Sequence, residues 1–99
     1  MCTMIVRQIA IEGSGTGPAG WFDVRQADVS YDHPFHAPQE HALNIDFVNE
    51  AEGPGVRVAV ELTAASARAL IQAMQAVLAE AERGGHVAPA AVPAAARQP

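Results

Sequence analysis

Val56-Arg57-Val58-Ala59-Val60-Glu61-Leu62-Thr63-Ala64-Ala65-Ser66-Ala67-Arg68-Ala69-Leu70-Ile71 is the stretch in which the chain changes period. Up to Leu62, apolar residues alternate with Arg57, Ala59 and Glu61, the period of two that marks a half-buried strand. From Thr63 onward Ala67, Leu70, Ile71, Met74, Val77, Leu78 and Ala81 follow the i, i+3, i+4, i+7 spacing of one helical face. Ser66, Arg68, Gln72, Gln75, Glu80 and Glu82 occupy the other. Thr63 is a good N-cap and Gly84-Gly85 a good stop after Arg83. A strand therefore runs directly into a helix, and that helix is the last regular element.

Moving back along the chain, residues 50–55 (EAEGPG) form a turn. In residues 42–49 (ALNIDFVN), Leu43, Ile45 and Phe47 alternate with Asn44 and Asp46, which predicts a third strand. Residues 21–32 (WFDVRQADVSYD) read as a second strand from their Trp, Phe, Val and Tyr content, and residues 2–12 (CTMIVRQIAIE) as a first. The first strand is apolar on both faces, with Ile5, Ile9 and Ile11 on one and Met4, Val6 and Ala10 on the other. Residues 13–20 (GSGTGPAG) contain Gly15-x-Gly17-x-x-Gly20, a formal match to the dinucleotide fingerprint. That motif requires a helix to follow, and a strand follows instead, so the stretch reads as a hairpin turn. The fold class expected is α+β: a four-stranded antiparallel β-meander with one C-terminal helix packed on one face. One domain covers residues 1–85, and the Ala/Pro-rich residues 86–99 read as a disordered tail.

Composition narrows the function. The net charge of −5, with six Arg and no Lys, argues against a nucleic-acid partner, which needs a basic stripe. No run approaches the roughly 20 apolar residues of a membrane span, and the polar, strand-like residues after Met1 lead us to expect no secretory leader. The single Cys2 cannot close an internal disulfide, so a reducing cytoplasm is the expected compartment. A folded part of about 80 residues buries only about 60% of its unfolded surface. Four strands span roughly 19 Å and a helix covers about 10 Å. A homo-oligomer, with a dimer favoured, is expected to cover the remainder.

The candidate site lies in Tyr31-Asp32-His33-Pro34-Phe35-His36-Ala37-Pro38-Gln39-Glu40-His41, which holds three of the four histidines. Neutral imidazole is a ready ligand for transition metals. In a meander, strand two ends beside the start of strand one, so Cys2, residues 31–33, His41 and residues 61–63 converge at one end. Facing Tyr31, Val29 and Ala27 across Leu43, Ile45 and Phe47 sets His33 opposite His41 on the apolar side. Cross-strand neighbours have Cβ atoms about 4.5–5.5 Å apart, within reach of one shared ion. His36 on the loop could cap it and Cys2 supply a fourth ligand, with Glu40 the nearest candidate base. Zinc is the favoured ion, although copper, nickel or iron suit similar ligands. The spacing H-x(2)-H-x(4)-H matches no closed zinc-finger signature. Asn44, Asp46, Arg57 and Glu61 are expected on a polar second face, open to a small-molecule ligand or a subunit.

The segment YDHPFHAPQEHALNIDF, with MCTMIV at the start and the later GPGVRVAVELT and AR, resembles a small family of uncharacterised actinobacterial proteins of unknown function. The resemblance implies a bacterial cytoplasmic protein and adds no catalytic residue. The function expected is therefore a small metal-binding protein, with room for a metalloenzyme, through His33, His36, His41 and Cys2. The alternative is a non-catalytic oligomeric binding or accessory protein whose histidines are structural.

Overall fold

The computed structural model describes residues 5–88, and they form two compact units, the sheet up to Ala64 and the helix from Ala65. The elements run β1 (Ile5–Gly17), β2 (Gly20–Asp32), β3 (Ala42–Val48), a 3-10 turn (Glu50–Glu52), β4 (Arg57–Leu62) and α1 (Ala64–Arg83). The class is α+β as expected. The strands lie in sequence order β1-β2-β3-β4, each antiparallel to its neighbour. Short connections between strands favour this meander.

The register follows from the alternation. Tyr31 pairs with Leu43, Val29 with Ile45 and Ala27 with Phe47, and β4 adds Leu62, Val60 and Val58 on the same rows. Paired residues share a face, so one side of the sheet is nearly all apolar. The other side carries Gln26, Asp28, Ser30, Asn44, Asp46, Arg57 and Glu61. On that side Arg57 donates to Asp46 Oδ1 at 2.8 Å.

The hairpin departs from the expected turn over residues 13–20. β1 extends through the glycines to Gly17, and only Pro18 and Ala19 connect it to Gly20, whose φ is +112°. A β-bulge causes the bend: Ile11 and Glu12 together oppose Arg25, shifting the register between Ala10 and Gly13. Bulges increase local twist and bend the strand that carries them. Beyond the bulge, residues 13–24 outrun β3, whose ladder ends at Gln26 and Val48, and form a projecting arm. The arm comes up to β4. A Cβ on Gly17 would lie 3.2 Å from the Arg57 carbonyl oxygen, and one on Gly15 would lie 3.1 Å from Val24 Cγ2. Glycine in a strand often marks such close backbone approach.

Phe22, Val24, Ala27 and Ala42 are buried in the sheet unit, and among the described residues no large side chain is completely enclosed. Asn49 is the buried polar residue: its Oδ1 accepts from Ala51 N at 3.1 Å, capping the 3-10 turn.

The helix starts immediately after Thr63 and stops at the predicted glycines. Gly85, at φ +75°, donates to Glu82 O, while His86 N donates to Ala81 O at 2.9 Å. This pair of bonds satisfies carbonyls that the last turn would otherwise leave free. No helix among the described residues is long and apolar enough to cross a membrane. Cys2 and most of the expected tail, residues 89–99, lie outside the described residues.

Candidate functional site

The site grows from the end of β2. His33 N donates to Asp32 Oδ1 at 2.8 Å, turning the backbone out of the ladder into residues 33–41. Pro34 and Pro38 remove two backbone donors from this loop and fix φ at both places. Three of the remaining amides are gathered by one side chain. Glu61, on the polar side of β4, accepts from Phe35 N at 2.6 Å, His36 N at 3.0 Å and Ala37 N at 2.9 Å. The Ala37 and Phe35 N–H groups hold the Glu61 carboxyl below its ordinary range; desolvation opposes them, and the His36 N–H and imidazole add a smaller push downward. Hydrogen bonds to the charged form of a carboxylate act in this direction.

Two of the three loop-region histidines meet. The His33 and His41 ring centroids are 4.7 Å apart with planes 26° from parallel, and the Tyr31 ring lies 5.9 Å from His41 at 14°. The row Tyr31–Leu43 of the apolar face, extended by two residues on each strand, leads to this pair. His33 Nδ1 is 2.9 Å from the Glu40 carbonyl oxygen. A carbonyl only accepts, so Nδ1 carries the proton of this bond and Nε2 is the ring nitrogen left for another partner.

His36 goes elsewhere. With Phe35, Ala37, Arg57, Ala59 and Glu61 it lines an open hollow of about 590 Å³ on the polar side. The reason is the clasp: Glu61 alternates to the polar face and draws residues 35–37 towards it. Glu40 meets His33 through its backbone carbonyl. Among the described residues, no three His, Cys, Asp or Glu side chains are grouped to hold a metal ion. Glu61, read from sequence as solvent-facing, organises the loop instead. Its position at the converging end of β4 was the available signal, but three amides folding onto one carboxylate leave no local pattern.

These features define a small sheet-and-helix protein whose distinctive chemistry is a clasped, histidine-bearing loop at one end of the sheet. The chain belongs to a family of unknown function, DUF6295, whose model matches residues 1–87. No curated protein and no solved structure matches it. The match accords with the expected resemblance to an uncharacterised family.

Proposed function

We propose that the protein binds a divalent transition metal, zinc in first place, with His33 and His41 as the nucleus of the site. The observation that supports this is the bond from His33 Nδ1–H to the Glu40 carbonyl. Metal-binding histidines usually donate their second ring N–H to a carbonyl or carboxylate, which fixes the tautomer and leaves Nε2 as ligand. His41 is the adjacent second nitrogen donor. A metal lies in the plane of each imidazole that holds it, so the two stacked rings must turn about χ2 to converge. His33 is exposed and His41 half-buried, which leaves room for that turn. His36 and Cys2 are the further ligands proposed, His36 joining only if the Glu61 clasp releases residues 35–37. Glu40, next to His41 in sequence, is the base proposed for a bound water if the protein is an enzyme.

Elemental analysis of protein purified without a histidine tag tests the reading. The expected result is near-stoichiometric metal, lost in His33→Ala and in His41→Ala and retained in His86→Ala. Less than about a tenth of an equivalent of any transition metal, with no uptake on titration with zinc, ends the proposal. Affinity should also fall in acid, because each imidazole must be neutral to bind.

The second reading, a non-catalytic binding or accessory protein, is favoured by a different feature. Phe35 is 93% exposed at the tip of a loop held by two prolines and three hydrogen bonds. A rigid, exposed aromatic is a good anchor for a partner because little freedom remains to be lost on binding. Under this reading, replacing His33, His36 and His41 together by Ala leaves the oligomeric state unchanged.

A further inference from the structure

The two edges of the sheet differ. β4 is 6 residues long, carries Arg57 and Glu61, and has the tip of β1 beside its start. Short, charged edges of this kind resist pairing with other chains. β1 is 13 residues long and, among the described residues, has β2 as its strand neighbour on one side only. Before the bulge its residues 5–10 read Ile-Val-Arg-Gln-Ile-Ala, all exposed, with Ile5 at 52%, Val6 at 42% and Ile9 at 38%. Ile5 and Ile9 share one face and Val6 and Ala10 the other, with Arg7 the single charge. The Arg7 guanidinium turns back to donate to the Val6 carbonyl at 2.9 Å.

We propose that this segment pairs antiparallel with the same segment of a second copy, joining two sheets into one continuous sheet. A two-fold axis perpendicular to the sheet keeps opposed residues on one face, so it passes through a residue and not between two. An axis at Arg7 would set two guanidinium groups directly opposite each other, which is destabilising. An axis at Gln8 sets Gln8 against its counterpart, Arg7 against the counterpart of Ile9 and Val6 against that of Ala10. The ladder then ends where Ile11 and Glu12 break the register. A second copy is the occupant because this register lets the segment face itself: Val6 meets Ala10, Gln8 meets Gln8, the apolar stem of Arg7 lies against Ile9, and no like charges oppose. Backbone groups along both edges gain ladder partners, and the few buried side chains of each sheet gain a longer common surface. The inference does not depend on the metal reading.

Light scattering on the full chain in chelator reads the mass, with Cys2→Ser removing the native thiol. Gln8→Cys in that background brings two thiols to the axis, within the roughly 4.4–6.8 Å Cα span that a disulfide bridges. A dimeric parent is expected, with Gln8→Cys oxidising to a covalent dimer far faster than Asp23→Cys, which is exposed on β2 away from the edge. Ile9→Lys should run as a monomer with an unchanged far-ultraviolet spectrum, and Val6→Lys serves if Ile9→Lys does not fold. A monomeric parent overturns the proposal. So does a dimer in which Gln8→Cys cross-links no faster than Asp23→Cys, or one that survives both lysine substitutions.

Discussion

The arm formed by residues 13–24 and the loop formed by residues 33–41 both extend β2 beyond its partners, one at each end, yet they are held by opposite means. The arm is held by burial. Phe22 and Val24 lie against glycine backbone, and a Cβ on Gly17 would crowd the Arg57 carbonyl at 3.2 Å. The loop is held by polar contacts: three amides on Glu61, one on Asp32, and a stack of three rings. Apolar burial is non-directional and scales with area, so it fixes the arm as part of the core. Charge-assisted hydrogen bonds are directional and respond to pH, so the loop can loosen without unfolding the sheet. Exposed histidines sit on the end held by polar contacts, and the closely packed glycines on the end held by burial.

The largest effect should come from the arm. Phe22→Ala removes its main buried side chain and should cost about 3–5 kcal/mol, read as a large drop in thermal or denaturant midpoint. Gly17→Ala should cost about 1–3 kcal/mol, because the atom facing the new methyl is backbone and cannot swing aside. Gly13→Ala is its control: nothing lies within 4 Å of the new Cβ and φ is not positive. That change should be neutral or stabilise by about 0.4–1 kcal/mol through the unfolded state.

On the loop, Glu61→Ala should leave the sheet folded but speed hydrogen exchange at Phe35, His36 and Ala37, with Glu61→Gln intermediate. The same exchange should respond to pH. The folded carboxyl titrates below its ordinary value of 4.5, so the clasp contributes fully above that value and is lost as pH falls through the lowered one. Unchanged exchange in acid would show that the loop is held by its prolines and rings. The smallest effect is Phe35→Ala, which should change stability by no more than about 0.5 kcal/mol, since the ring is almost entirely exposed.

The strands and helix were legible because their periods are strong and local. Alternation in Val56 to Leu62 and in Leu43 to Phe47 set the faces, and matching those faces gave the Tyr31–Leu43 register and the meeting of His33 with His41. The glycine stretch misled because glycine carries no side-chain pattern. Its role in residues 13–17 is to permit contact, and contact is a property of the neighbour. His36 was expected with the other two histidines because spacing alone could not show which face the loop would be drawn to.

Sequence by itself determined the elements, their order, the apolar and polar faces and the pairing of two histidines, because each follows from periodicity and chain direction. Only the tertiary structure decided that Glu61 gathers three loop amides, that His36 leaves its neighbours for the polar side, and that a bulge bends the hairpin onto β4. Those outcomes depend on hydrogen bonds and close approaches between residues 24 to 40 positions apart, which no local pattern in the chain encodes.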